Sequence, residues 1–269
     1  MTWIAQLPMY DLPEIRWASD ALWRGVAARL ERAGLTGLPE RLARELSPAE
    51  AWRHPGLLLG QSCGYPAMTA FRDELRILAT PLYAAPGCEG PLHCSFIVVA
   101  AESDAAQLRD LRGTRFALNG RESNTGMNLP RRAIAPLADN GRFFAAVIET
   151  GSHAESLARV AAGTADCAAI DCVTHALLVR HRPATVARTR ILEHTGLAPS
   201  LPFVTARGTD QATAALMRAA IIEAAADPAL AESREALFLA GAIAAEPDDY
   251  AVVIDDERQA RELGYAELR

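Results

Sequence analysis

The chain has no lysine: all 27 of its basic residues are arginine. That excludes a Schiff-base lysine and the lysine of a phosphate-binding P-loop, whatever genomic bias produced it. Long hydrophobic runs are missing too, and none approaches the ~18 apolar residues of a membrane span. The opening MTWIAQLPMYDLPEIRW has neither the basic n-region nor the apolar h-region of a signal peptide. The expectation is a soluble chain without an export signal of its own. Positive charge is not in excess. A net charge of −6 argues against general nucleic-acid binding, and no polybasic segment addresses an anionic membrane surface.

Cysteine is sparse and unpaired by motif. Cys63, Cys88, Cys94, Cys167 and Cys172 contain no CxxC, and an odd number does not make a complete disulfide framework. Cys88 and Cys94 could close a short loop in an oxidising compartment, but reduced thiols are the simpler reading. No HExxH occurs, and His175 and His181, six residues apart, do not share a helix face, so no metal site is expected. No cofactor is expected either.

What is present is an ordinary globular composition. At 269 residues and 50% hydrophobic content the chain can bury the core of one large domain or two moderate ones. Ile4 to Met9 reads as a first strand. A helix from about Ser19 carries Leu22, Val26 and Leu30 on one face, with Gly34 beyond its end. Ser47-Pro48-Ala49-Glu50 has a capping-box pattern with proline at N1. Leu57 to Leu59, Arg76 to Tyr83, Ser95 to Ala101, Arg115 to Asn119, Cys167 to Ile170 and Pro202 to Ala206 read as strands. Ala212 to Ala226 is helical, Asp227-Pro228 opens another helix, and a short one is expected near Asp256 to Leu263. The alternation indicates an α/β class. The four tryptophans, Trp3, Trp17, Trp23 and Trp52, crowd the first part and read as packing residues.

Leu111 to Leu178 organises the rest. Three strand-like runs there end in small polar turns that open helices: Ser123-Asn124-Thr125-Gly126, Thr150-Gly151-Ser152-His153 and Asp171-Cys172-Val173-Thr174. Such turns aim backbone N–H groups and short side chains at one crevice. Ser152 and Glu155 form a capping-box pattern that puts His153 at the first helical position.

Asp110 to Arg115 before a strand, then Ser-Asn-Thr-Gly, Thr-Gly-Ser-His and Ala-Ile-Asp, resemble the solute-binding proteins of phosphate/phosphite/phosphonate ABC transporters. These are PhnD-like type II periplasmic binding proteins. The resemblance is best over about 95–180 and extends to Gln61 to Pro66 and the Asp-Asp-Tyr tail. It implies a two-lobed α/β fold with two crossing strands, near 92 and 202, and an inter-lobe cleft. Lobe 1 would comprise 1–92 and 203–269, and lobe 2 would comprise 93–202. A small oxyanion would be held by Ser123, Asn124, Thr125 and Gly126, by His153 and by Asp171. Tyr10, Gln61, Ser62 and Tyr65 would be the other lobe's contribution. Asn124 stands where the family usually has a hydroxyl residue, which changes the donors available to the anion. The implied partners are the oxyanion and an ABC permease, the implied compartment is the periplasm, and a monomer is expected.

Plainer readings exist for each residue. The Ser123 turn could be an ordinary N-cap cluster, His153 a surface histidine at a helix start, and Asp171 a cap for the helix through Thr174 and His175. Gly60-Gln61-Ser62-Cys63-Gly64 matches the G-x-S-x-G nucleophile elbow. With Asp171 and His175, His181 or His194 it follows the hydrolase order, but few residues precede it. Cys63 reads as a small buried thiol rather than a nucleophile. The alternatives to a binding protein are therefore an enzyme on the same fold, a serine hydrolase, or a cytoplasmic sensor module.

Overall fold

The computed structural model describes residues 2–269, which divide into two compact units. The first runs through Ala84 and includes Glu89–Leu92 and Pro199–Tyr250. The second comprises Ala85–Cys88, His93–Ala198 and Ala251–Arg269. Among the described residues no helix is long and apolar enough to cross a membrane.

The first unit is built on a five-stranded sheet in the order Ile4–Ala5, Leu57–Gln61, Phe203–Ala206, Leu75–Tyr83, Leu239–Ala244. Ile4–Ala5 runs parallel to Leu57–Gln61, while Phe203–Ala206 is antiparallel to both of its neighbours. The LLLGQ strand is buried along its whole length, as a central strand covered on both faces must be. Helices Arg16–Arg32 and Gln211–Ala226 pack together on this unit. Leu22, Val26 and Leu30, four apart on one face, are all buried there. Around Trp52 and Phe71, whose rings meet edge to face at 4.8 Å, Leu57, Ile77, Val204 and Tyr250 close a second part of the core.

The second unit repeats the plan with the order Ala146–Glu149, Arg115–Leu118, Cys167–Asp171, Ser95–Ala100, Thr189–His194. Arg115–Leu118 is parallel to both neighbours, and Ser95–Ala100 is antiparallel to both of its own. Parallel neighbours need crossovers. The helices His153–Ala161 and Leu129–Ile134 lie on those crossovers, which puts the polar turns at the C-terminal strand ends. Helix Ala251–Glu262 packs against Leu129–Ile134.

Several expectations are adjusted. The first strand stops at Ala5, and the Arg16–Arg32 helix starts three residues before Ser19. Asp227-Pro228 opens a 3-10 turn, Pro228–Leu230, ahead of the short helix Ala231–Ala236. Trp17 is 45% exposed rather than packed. The expected grouping of 203–269 with the first lobe is corrected beyond Tyr250. Val253 and Ala266 supply carbonyls to Asn128 and Arg131, which ties this segment to the second unit. The strands Thr189–His194 and Leu239–Ala244 had no clear signal, one being polar and the other alanine- and glycine-rich.

Candidate functional site

The Ser123 turn is a buried donor cluster. Ser123 Oγ accepts from the Gly126 N–H at 2.9 Å and from Asn119 Nδ2 at 3.1 Å. Both lone pairs are used, which leaves its O–H to donate outward. The Ser123 carbonyl accepts from the N–H groups of Met127 and Asn128, so Asn124–Asn128 forms a π-helical turn leading into Leu129–Ile134. The N–H groups of Asn124 and Thr125 open that first turn and carry its positive end.

An arginine sets the direction of the asparagines behind this turn. Arg131 is buried and can only donate, so the oxygen of Asn128 must face it, and Nη2 to Oδ1 is 2.5 Å. The Asn128 amide nitrogen then donates to Asn124 Oδ1 at 3.0 Å and to the Val253 carbonyl at 2.9 Å. With its oxygen committed, Asn124 presents Nδ2, a buried donor with no acceptor among the described residues. Asn124 as a whole is 1% exposed. A buried amide donor left unpaired costs roughly 1–3 kcal/mol unless a ligand or water supplies the acceptor.

Asn119 holds three of these groups together. Its Nδ2 reaches Ser123 Oγ and also His153 Nε2 at 3.2 Å. Its Oδ1 lies so close to Gly126 that a Cβ on residue 126 would meet it at 1.7 Å. Glycine is needed here for close approach, not for a left-handed backbone.

His153 begins the helix His153–Ala161, which Ser152 caps by accepting the Glu155 N–H at 3.1 Å. Its Nδ1 lies 3.1 Å from the Ala169 carbonyl, which can only accept, so Nδ1 carries the hydrogen. In the neutral ring Nε2 is then an acceptor, 3.0 Å from Thr125 Oγ1. Burial pushes the histidine below its usual range, against the pull of Asp171 and the Ala169 carbonyl. Both ring nitrogens are therefore engaged within the protein. His153 orients the Thr125 hydroxyl, rather than standing open as a surface histidine.

Asp171 ends the Cys167–Asp171 strand at 1% exposure and caps the helix Cys172–His181 through the Thr174 N–H at 2.9 Å. Its other oxygen lies 3.1 Å from Nδ1 of His93, which is equally buried. Burial alone would raise the Asp171 pKa. The close His93 partner, with the charge of His153 and the Thr174 N–H, outweighs it and holds the carboxyl below the usual range. Burial opposes charge on His93 as well, but the adjacent Asp171 carboxylate holds it above the usual histidine range. The two form a charged pair.

In the first unit Tyr10 stacks edge to face on Tyr83 at 5.2 Å. Gln61 donates to the Tyr83 hydroxyl at 3.0 Å and to the Leu201 carbonyl at 3.3 Å. Tyr10, Gln61, Tyr83 and Phe203 border a cavity of about 20 Å³, room for about one water. Ser62 is fully buried, and its hydroxyl donates to the Cys63 carbonyl at 3.0 Å. Its backbone does not take the positive φ that, among the described residues and outside glycine, is confined to Asn140 and Phe238. This is not a strained elbow presenting a nucleophile. Tyr65 is buried in the short helix Gly64–Met68.

The structure thus gathers Ser123, Asn124, Thr125, Gly126 and His153 in one hydrogen-bonded cluster. Asp171 is linked to it through its charge on His153, and Tyr10 and Gln61 meet through Tyr83. Asn119, Asn128, Arg131, His93 and Tyr83 were not found from sequence. Asn128 had a usable signal, since it lies four residues after Asn124 at helical spacing. His93 had none, because its partner is distant along the chain.

A family model described as "ABC transporter, phosphonate, periplasmic substrate-binding protein" matches residues 59–250. Solved structures superpose over nearly the whole chain. A binding-protein component of an ABC phosphonate transporter from Pseudomonas aeruginosa is 16% identical, with TM-score 0.79, covering 98% of this chain and 88% of that one. PhnD1 from Prochlorococcus marinus, in complex with methylphosphonate, is 13% identical with TM-score 0.77 and 98% coverage of both chains. XAC2383 from Xanthomonas citri, bound to ATP, is 18% identical with TM-score 0.72 and the same coverage of both. No curated protein sequence matches.

Proposed function

Because the chain belongs to the family of phosphonate-type periplasmic substrate-binding proteins of ABC transporters, we propose that its Ser123 turn holds the tetrahedral phosphorus oxyanion of a small ligand. The fold is that of the type II periplasmic binding proteins. The family is one of binding components rather than catalysts, and it implies a small ligand and a permease partner.

The observation that carries the oxyanion reading is Asn124 Nδ2, a buried donor whose orientation Arg131 and Asn128 dictate and which lacks an acceptor. Around it stand the Ser123 hydroxyl, the Thr125 hydroxyl and two backbone N–H groups of a helix start. That set is rich in donors, and an ionised phosphate or phosphonate offers only acceptors to it. When His153 is protonated its Nε2–H donates to Thr125 Oγ1, which lets the Thr125 hydroxyl turn toward the ligand. Asn124 thus supplies the donor that a hydroxyl supplies elsewhere in the family.

Two of the similar proteins were solved with methylphosphonate and with ATP, and both ligands carry a tetrahedral phosphorus group. Asp171, already committed to His93 and to its helix, acts in this reading through charge. It favours a ligand that brings a proton or an amine.

Isothermal titration with phosphate, phosphite, methylphosphonate and ATP tests the ligand class. At least one is expected to bind; no heat from any of them would sink it. Asn124→Asp keeps the shape but replaces the donor with a repelling acceptor. It is expected to lower affinity by roughly ten- to a hundredfold or more, since a hydrogen bond to a charged group is worth about 1.5–3 kcal/mol.

A further inference from the structure

Three cysteines that the binding site does not use meet in the second unit. Cys88 closes the turn from Ala85, its N–H donating to the Ala85 carbonyl at 3.1 Å. Gly87 in that turn has φ +89°, and a Cβ there would come within 3.0 Å of both Cys172 Cβ and Cys94 Sγ. Only glycine lets the turn lie this flat on the two cysteines. The result is a Cys88 Sγ to Cys172 Sγ separation of 3.5 Å. Cys172, the first residue of the helix Cys172–His181, is fully buried, and its N–H donates to the Cys94 carbonyl at 3.1 Å. Cys94 is also buried, whereas Cys88 is partly open to solvent.

We propose that Cys88 and Cys172 form a thiol–disulfide exchange site, in which a small-molecule disulfide of the oxidised-glutathione class is reduced while the two cysteines join. The half-buried Cys88 meets the incoming disulfide, and Cys172, held behind it, resolves the product. As Cys88 sulfur attacks one sulfur of the small disulfide, its proton passes to Cys172 Sγ and a thiolate leaves. That thiolate takes the proton back from Cys172, which attacks Cys88 Sγ and expels the second thiolate. One protein thiol and one thiolate lose two electrons, and one disulfide becomes a small thiol and a small thiolate that takes its proton from water. The sulfurs need to approach by about 1.5 Å to reach the S–S length of ~2.05 Å.

The geometry also sets the roles. Hydrogen bonds from the Cys88 and Cys94 thiols lower Cys172 against burial and the charge of Asp171, so the pair ionises with one proton shared between the two sulfurs. The proton they share holds Cys88 well above the ordinary thiol range. The exposed thiol is therefore slow to react alone, and its capture is completed by a poised neighbour. The bond would fasten the Ala85–Cys88 turn to the residue next to Asp171.

The test exposes the folded full-length protein to excess oxidised glutathione, alkylates the remaining thiols and maps the peptides by mass. The expected wild-type product has lost two hydrogens, carries no glutathione, and yields one linked peptide pair containing Cys88 and Cys172. Cys94→Ala should give the same link, and Cys88→Ala should keep all its thiols alkylatable. A lasting glutathione adduct on Cys88, a Cys94–Cys172 link, or an unchanged wild-type protein would overturn the proposal.

Discussion

At the scale of single residues, the cluster depends on which atoms hold protons. His153 is neutral at pH 7 because burial lowers its pKa, so Nε2 accepts where an anion would need donors in front of it. A bound oxyanion beside Thr125 favours the imidazolium, whose Nε2–H donates to Thr125 Oγ1 while the threonine hydroxyl donates to the ligand. Binding at pH 7–8 is therefore expected to take up as much as one proton. Titration in buffers of different ionisation heat measures this uptake, and His153→Gln should abolish the share that belongs to the histidine. An uptake unchanged in that variant would rule the coupling out.

The His93–Asp171 pair gives a second residue-level prediction. Asp171, held below its usual pKa, stabilises the fold above about 3.9 and loses that contribution as pH falls through its lowered value. His93, held above its usual pKa, stabilises below about 6.5 and loses its contribution as pH rises through the raised value. The pair is thus worth most between about pH 4 and 6.5. Asp171→Asn keeps a good helix cap but unpairs the buried histidine, and should cost about 3–5 kcal/mol in that window. Denaturant midpoints measured at pH 5.5 and pH 9 should show the penalty shrinking at the higher pH.

At the scale of elements, the Arg115–Leu118 strand and the turn after it are locked by one close approach. Asn119 can brace Ser123 and His153 only because residue 126 has no side chain. Gly126→Ala should displace Asn119 or the turn, costing roughly 1–3 kcal/mol in stability as an overpacked site does. Oxyanion affinity should fall with it by at least tenfold, measured by titration. Ser152→Ala, which removes the neighbouring helix cap, provides the contrast. It should cost about 1 kcal/mol and leave the Ser123 cluster in place.

At the scale of the whole molecule, the second unit is completed by the last part of the chain. Val253 and Ala266 accept from Asn128 and Arg131, and the Arg269 carbonyl accepts from the N–H groups of Phe143 and Phe144. Ending the chain at Tyr250 removes no residue of the proposed site. It does strip acceptors from buried donors and uncovers Arg131. The shortened chain is expected to lose ligand binding and the cooperative melting of its second unit, seen by calorimetry. Retained affinity would show that the Asn124 orientation does not need this support.

Much of the plan is local and therefore legible in the residues alone. The α/β alternation, the buried Leu57–Gln61 strand, the capping box at Ser47, and the Ser123, His153 and Asp171 turns follow from spacing and turn chemistry acting over a few residues. Lysine's absence likewise limits the groups available to an anion to amides, hydroxyls, imidazole and arginine. The supporting partners are contacts across long stretches of chain. His93 finds Asp171, Arg131 reaches Ala266, and Cys88 finds Cys172 rather than Cys94 only once the strands are stacked. The sequence determined which groups could bind. Tertiary structure decided which way each donor points, because an amide or imidazole takes its direction from the partner behind it.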